Sequence, residues 1–500
     1  MRRVLIANRG EIAVRIIRAC RERGLATVAV YSEADRQAPH VLAADQAVCI
    51  GPASASASYL NVPALLDAAR TTGADAVHPG YGFLSENAAF AEACANAGLT
   101  FIGPPADVIS RMGSKTAARA AAIAAGVPVV PGVVPTDQSP AAIAAAVREV
   151  GFPALIKAAA GGGGKGMRVV RAEAEVADAV ESASREATRA FADGAVYVER
   201  LIEQPRHIEV QVLGDAHGHV VHLFERDCSL QRRHQKVVEE TPAPALAPSV
   251  RECITAAAVA AAKGVGYVNA GTVEFILEGH GDDARFYFLE MNTRLQVEYP
   301  VTELVTGRDL VHAQLRIADG EELWFTQADV AQRGHAIECR IYAEDAARGL
   351  LPQSGTLLRY AEPQGPGIRV DSGVREGQTI GVDYDPMLAK LIVHAETREA
   401  ALARMTQALR EFRVLGVRHN IPFLLQLLAL PDVRMDGTTE YRAHTGLIER
   451  HLDQLAAPAD DTVADAAAAL AKYLQAHQIA RPGAGAGTAS VTDPWETIAW

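Results

Sequence analysis

Between Phe286 and Glu298 the chain reads Phe-Tyr-Phe-Leu-Glu-Met-Asn-Thr-Arg-Leu-Gln-Val-Glu, gathering two carboxylates, two amides and a guanidinium into one short stretch. Its first half is aromatic and apolar from Phe286 to Met291 apart from Glu290, which predicts a buried strand. At period two, Phe286, Phe288, Glu290 and Asn292 share one face of that strand. Upstream, Thr272 to Glu278 is a second strand-like run, and Gly279-His-Gly-Asp-Asp283 between them is dense in turn residues. A hairpin closed around that loop sets Glu274 opposite Glu290. Like charges directly opposite each other destabilise a sheet. A hard divalent cation turns that repulsion into attraction, since Mg²⁺ prefers carboxylate oxygens and sits between them and substrate phosphates. Glu274, Glu290 and Asn292 are therefore expected metal ligands; the competing reading sends the two acids to solvent or changes the register.

A second chemical stretch runs from Phe152 to Val170, where two strands flank Gly161-Gly-Gly-Gly164-Lys165-Gly166. Successive glycines leave backbone N–H groups free to curl around an anion, and Lys157 and Lys165 add charge at either end. The pattern fits a Walker A loop poorly, because no Ser or Thr follows the lysine. A flexible linker is the bland alternative. Further on, Val196 to Glu199 and His207 to Leu213 read as strands, and Arg232-Arg-His-Gln-Lys236 is a basic cluster suited to small anions. The strand ending at Glu199-Arg-Leu-Ile202 could face an adenine, with surface ion pairing as the ordinary reading of Glu199 and Arg200.

These groups need a scaffold, and 500 residues allow roughly three domains of about 150 each. A net charge of −12 argues against nucleic acid or an anionic membrane as the main partner. No apolar run is long enough to span a bilayer, and the N-terminus enters a strand at once, so a cytoplasmic protein is expected. The six cysteines contain no CxxC pair, which points to reduced thiols rather than zinc or disulfides. Residues 1–112 alternate strands and helices in the rhythm of a doubly wound α/β domain. Asn8-Arg-Gly-Glu11 lacks the glycines of a dinucleotide fingerprint. His78-Pro-Gly-Tyr81-Gly82 follows a strand, where open α/β sheets form ligand crevices, and Tyr81 can present its ring to a flat ligand. Residues 113–330 form a central unit, 331–447 a mostly antiparallel one, and 448–500 a helical tail with a Gly/Ala linker.

Taken together, Ile6-Ala-Asn-Arg-Gly-Glu-Ile12, His78 to Asn87, the Gly161–Gly166 loop, Arg232 to Glu240 and Glu290 to Glu298 resemble, in order, the motifs of biotin carboxylase. The resemblance covers about residues 2–447. It implies a Rossmann-like N-terminal domain, an ATP-grasp central domain with a mobile lid at about 130–203, and an antiparallel C-terminal domain. In that family ATP phosphorylates bicarbonate to carboxyphosphate, and the CO₂ released carboxylates the ureido nitrogen of biotin.

By the same resemblance Lys115, Lys157, Gly163, Gly164, Lys165 and Gly166 attend ATP phosphates. Glu199, Arg200 and Ile202 attend the adenine, and His207, Gln231 and His234 lie along ribose and phosphates. Lys236, Arg294, Gln296 and Val297 hold bicarbonate, with Glu298 as general base. On a strict strand Arg294, Gln296 and Glu298 share one face. Arg340 stabilises the enolate-like biotin, with Tyr81 and Gly82 against its ring; burial against Glu338 or Asp345 is the ordinary reading of Arg340.

Two Mg²⁺ or Mn²⁺ ions, a biotin carrier protein or domain, a carboxyltransferase and a homodimer are likewise implied. Tyr299 stands where the family commonly has histidine, and Arg200 where lysine is frequent. No Met-Lys pair of the biotin-attachment type occurs, so the carrier is expected on another polypeptide or beyond Trp500, and the tail resembles the entry to the middle region of longer α chains. Another ATP-grasp ligase joining a carboxylate to an amine, and an ATP-binding subunit without turnover, are the competing functions.

Overall fold

In the computed structural model, residues 1–159, 167–191, 194–435 and 441–456 are described. Near the N-terminus, short apolar runs alternate with amphipathic ones and build a parallel sheet. Its strands are β1 (Arg3–Ile6), β2 (Ala26–Ser32), β3 (Gln46–Gly51), β4 (Ala76–His78) and β5 (Thr100–Phe101), in the order β3-β2-β1-β4-β5. The strand order reverses between β1 and β4. There the Asn8 side chain donates to the carbonyls of Pro79 and Tyr81, both at 2.7 Å, and ties the two loops together. Strands β3 and β5 escape sequence reading because the first is largely exposed and the second has two residues.

A four-stranded antiparallel sheet follows: β6 (Gly132–Val133), β7 (Ala154–Ala158), β8 (Arg168–Val170) and β9 (Val196–Arg200), ordered β6-β9-β7-β8. Helices Pro140–Val150 and Val176–Phe191 bury Ile143, Val147 and Ala183 against it. Gly163, Gly164, Lys165 and Gly166, between β7 and β8, lie outside the described residues, as does the tail from 457 onward.

The largest sheet has eight antiparallel strands. In order they are β14 (Arg285–Asn292), β13 (Asn269–Glu278), β10 (Arg206–Gly214), β11 (Val220–Arg232), β12 (Gln235–Thr241) and β15 (His335–Tyr342), then strands Met387–Ala395 and Ile368–Ser372. It runs without a break across residue 330, where the sequence reading places a domain boundary. One face carries Ile208, Val210, Val212, Val273 and Phe275 into a core shared with Ile254 and Ala258 of helix Pro248–Gly264. The intervening His207, Glu209, Gln211, Thr272 and Glu274 occupy the other face, and all are buried. Helix Tyr299–Thr306 packs against β11, β12 and β15.

The β13–β14 hairpin departs from strict alternation. Pairing runs in step from Glu278 with Arg285 to Phe275 with Phe288, then skips Leu289, so that Glu274 meets Glu290. This bulge moves Phe286 and Phe288 into the apolar core and leaves Glu290 and Asn292 on the opposite side, so the four do not share a face. Met291, after the bulge, returns to the core.

Candidate active site

Register across the sheet sets four charged residues in one row: Glu290 pairs with Glu274, Glu274 with Glu209, and Glu209 with Arg226. Arg226 is wholly buried and answers one end of the row. Its Nε donates to Glu209 at 2.5 Å, its Nη1 to Gln211 and Thr302, and its Nη2 to Thr272 and Gln296 at 3.1 Å. Lys236 answers the middle, donating to Glu209, to Glu274 at 2.9 Å and to Glu298 at 2.5 Å. Burial opposes the Lys236 charge, yet the three carboxylates outweigh it and hold the ammonium well above the ordinary lysine range. Burial likewise disfavours the Glu298 carboxylate, but Lys236, Arg340 and Arg226 keep it far below the usual carboxylate range.

Backbone irregularity brings Lys236 there. Arg233 and His234 form a two-residue turn between β11 and β12 with φ of 48° and 65° and no glycine. Positive φ in such residues costs on the order of 1–3 kcal/mol each and often accompanies a functional site. Past the turn, Gln231 pairs with Lys236 but Leu230 pairs with Val238, so Val237 is skipped. That shift puts Lys236 and Glu239 on one face. Arg340 on β15 then bridges the two sides, donating through Nε to Glu239 at 2.6 Å and through Nη2 to Glu298 at 3.1 Å. Its partners are thus Glu239 and Glu298 rather than Glu338 or Asp345.

The segment after β14 is not a strand. From Thr293 the chain leaves the sheet, and Gln296, Val297 and Glu298 are held by side chains instead of a ladder. Gln296 donates to Glu274 at 2.7 Å, and the Val297 carbonyl accepts from the buried Lys390 at 2.7 Å. Arg294 reaches Glu86 of the N-terminal module at 2.9 Å and the Asn292 side-chain oxygen at 3.1 Å. Tyr299 turns away from Glu298; its buried ring lies 4.5 Å from the Lys390 ammonium and its hydroxyl 3.5 Å from Arg369.

A cavity of about 660 Å³ opens over this face. It is lined at one end by Lys236, Arg294, Gln296, Val297, Glu298 and Arg340, and along its floor by Glu274, Glu290 and Asn292. His207, Gln231 and His234 follow, and Lys115, Lys157, Glu199, Arg200 and Ile202 line the far end. Tyr81 and Gly82 do not line it. The Tyr81 hydroxyl donates to Glu11, and its ring faces Lys390 at 5.9 Å, one residue removed from the Val297 carbonyl.

At the far end the Glu199 carboxylate is held by Lys157 at 2.9 Å and Arg119 at 2.8 Å. Arg200 pairs bidentately with Glu278 at 2.7 and 2.8 Å. Lys115 makes no side-chain hydrogen bond among the described residues. Burial lowers its affinity for a proton while Glu290 opposes that shift.

The Glu290 carboxylate has no hydrogen bond or ion pair among the described residues, and burial, reinforced by Glu274, raises its pKa. An unanswered carboxylate beside a second one, with the Asn292 amide oxygen adjacent, is a hard oxygen donor set that fits Mg²⁺ or Mn²⁺. The Asn292 amide nitrogen donates to Glu274 at 2.8 Å, which orients its oxygen away from that acid. His207, Glu209 and Glu274 also converge within metal-ligand reach, but Lys236 already answers two of them.

Glu86, Arg119, Glu209, Arg226 and Glu239 were not among the residues expected from sequence. The alternation His207-Ile-Glu209-Val-Gln211 carried the signal for Glu209, but alternating polar residues read equally as a solvated face.

Family models match nearly the whole described chain: "Biotin carboxylase, N-terminal domain" over residues 1–109, "Carbamoyl-phosphate synthase L chain, ATP binding domain" over 114–325 and "Biotin carboxylase C-terminal domain" over 338–450. Biotin carboxylase 1 of Bacillus subtilis is 53% identical over 428 residues, covering 86% of this chain and 95% of the relative. The mitochondrial methylcrotonoyl-CoA carboxylase subunit alpha of Mus musculus is 49% identical over 463 residues, and the chain spans 63% of its length. Among solved structures, the biotin carboxylase domain dimer of Hydrogenobacter thermophilus 2-oxoglutarate carboxylase, in complex with MgADP, ADP and bicarbonate, superimposes with a TM-score of 0.85 at 46% identity, over 92% of this chain and 99% of that one. Identity of this degree, over almost the full length of a stand-alone relative, shows that the chain belongs to the biotin carboxylase family.

Proposed function

We propose that this chain carboxylates biotin at the expense of ATP and bicarbonate, the first half-reaction of an acyl-CoA carboxylase. The observation that carries this reading is the single cavity in which Lys236, Arg294, Glu298 and Arg340 stand beside the facing pair Glu274 and Glu290. Phosphoryl transfer relies on positioning and charge neutralisation. Lys115 and Lys157 take that task at one end, and Gly163, Gly164, Lys165 and Gly166, outside the described residues, are assigned to the same phosphates by the family resemblance. Glu199, Arg200 and Ile202 border the adenine, and His207, Gln231 and His234 the ribose and phosphates. Glu274, Glu290 and Asn292 would hold two Mg²⁺ or Mn²⁺ ions, which when bound supply Lewis-acid charge to the phosphate oxygens.

Bicarbonate lies between Arg294 and Lys236, over the backbone of Gln296 and Val297. Glu298 takes its proton as a bicarbonate oxygen bonds to the γ-phosphorus and the bond to ADP breaks. Lys236 and Arg340 suppress the basicity of Glu298 while they pair with it. An anionic substrate that draws them away restores that basicity. Carboxyphosphate then breaks its carbon–oxygen bond to give CO₂ and phosphate. The phosphate so released takes the proton of the ureido nitrogen as that nitrogen bonds to CO₂, and Arg340 answers the charge that develops on the ureido oxygen.

The N-terminal module spans 1–112, the ATP-grasp module 113–330 with its lid at about 130–203, the C-terminal module 331–447, and the tail 448–500. Biotin arrives on a carrier protein or domain, and a carboxyltransferase consumes the product. A homodimer working in the cytoplasm completes the reading; no helix among the described residues is long and apolar enough to cross a membrane.

Purified protein should hydrolyse ATP only with bicarbonate and Mg²⁺ present, faster with free biotin, and not after chelation with EDTA. ATP hydrolysis indifferent to bicarbonate would exclude the reading.

A further inference from the structure

Glu239 and Glu338 lie directly opposite each other on β12 and β15, both fully buried. Side chains so placed have Cβ atoms about 4.5–5.5 Å apart, within carboxyl-to-carboxyl reach. Glu239 gives one oxygen to Arg340. Its other oxygen and both oxygens of Glu338 have no hydrogen-bond partner among the described residues. Three unanswered acceptors on two facing carboxyl groups are a costly arrangement if both are ionised.

The surrounding charges do not resolve it by pairing. Arg340 faces both Glu239 and Glu298, and Lys236 is engaged by Glu209, Glu274 and Glu298. Lys390, opposite Arg340 on the next strand, is engaged by Glu11 at 3.2 Å, by the Val297 carbonyl and, more distantly, by Asp371. Cys339 between Glu338 and Arg340 is buried and its thiol pushed up, so it supplies no charge.

We propose that Glu239 and Glu338 share one proton, the Glu338 carboxylic acid donating to the Glu239 carboxylate, and that this singly charged pair is the positioning element that aims Arg340 into the cavity. A single negative charge behind Arg340 holds the guanidinium edge that carries Nε and Nη2, while Nη2 also reaches Glu298. A second charge, created when the proton leaves to solvent, would draw the guanidinium back from the cavity. Burial pushes both carboxyls up, Glu239 to about 7 against the pull of Arg340, and Glu338 well above the ordinary range against the pull of Lys390. The shared proton stands on the geometry alone; its consequence for turnover rests on the role of Arg340 proposed above.

The sign follows from raised folded-state values. Such groups stabilise the fold fully below the unfolded carboxyl pKa, and the benefit is lost as pH rises through their raised folded values. Glu338→Gln keeps a donor toward Glu239 and has no proton to lose. Infrared difference spectra should show a protonated, buried carboxylic acid carbonyl in the wild type that bleaches as pH rises and is missing in Glu338→Gln. The alkaline decline in thermal stability should flatten in that variant, and the alkaline limb of biotin-dependent turnover should move to higher pH. An acid band as intense in the variant as in the wild type, or no acid band in the wild type at neutral pH, would overturn the shared proton whatever the activity. A band lost as expected, with superimposable turnover profiles, would overturn the positioning of Arg340 alone. Should Glu338→Gln not fold, Glu239→Gln gives the same infrared comparison, and a band undiminished in it would overturn the shared proton.

Discussion

Glu298→Gln should lower bicarbonate-dependent ATP hydrolysis by about 10²–10⁴-fold, the usual contribution of a positioned general base, while leaving Mg–nucleotide affinity close to wild type. The substitution removes a charge but little volume. Lys236 keeps Glu209 and Glu274, and Arg340 keeps Glu239, so no buried cation is left without a partner. The lost rate therefore reports chemistry rather than unfolding, and unchanged urea denaturation would establish that. Glutamine still fills the hydrogen-bonding position beside Lys236 but cannot accept the bicarbonate proton. A variant that retains more than a tenth of wild-type bicarbonate-dependent activity would remove Glu298 from the base role. An ATP-grasp ligase acting on some other carboxylate would have no need of this residue.

Lys236→Met should be the most destabilising single change in the cavity. It withdraws one ammonium from three buried carboxylates, and breaking a buried ion pair from one side costs about 3–5 kcal/mol. The deficit should depend on pH in a specified direction. In the wild type, burial opposes ionisation of Glu274 and Glu298, but cationic neighbours led by Lys236 hold both below the ordinary range. Depressed values of this kind contribute stability that is complete above the unfolded glutamate pKa of about 4.3 and lost as pH falls through the folded values. Without Lys236 that contribution shrinks, so the difference between variant and wild type should be largest at neutral pH and narrow below about pH 4. Urea denaturation at several pH values measures it. A deficit that does not narrow as pH falls from 7 to about 3, or none at all, would contradict the assignment of Lys236 as the common counter-ion. Bicarbonate affinity should fall with it, since the same ammonium borders the anion site.

Much of this arrangement was legible before any coordinates. Glu274 and Glu290 could be set opposite each other because residue type marks both strands and a short polar loop fixes their order. The bulge at Leu289 could not, since nothing in Phe288-Leu-Glu290 distinguishes a skipped residue from a paired one. It changed which neighbours share the face without changing the pair itself. Alternation in Arg294-Leu-Gln296-Val-Glu298 mimics a strand. Contacts from Lys390 and Arg226, more than sixty residues away on either side, hold it as an irregular loop instead. The buried charges Glu209, Arg226, Glu239 and Glu338 were hardest to read. A polar residue at every second strand position looks solvated until helix Tyr299–Thr306 covers the face. Tyr81 and Gly82 stand apart for a related reason, because the neighbourhood of a loop depends on how two sheets meet.

The most direct test of the central claim, that bicarbonate itself attacks the γ-phosphorus in this cavity, is to follow its oxygen. Bicarbonate labelled with heavy oxygen, supplied with unlabelled ATP, Mg²⁺ and biotin in a single turnover too brief for exchange with water, should leave one labelled oxygen in each phosphate released, as read by mass spectrometry. Phosphate carrying no label would mean that water is the nucleophile, and the assignments of Arg294, Lys236 and Glu298 to bicarbonate would fall together.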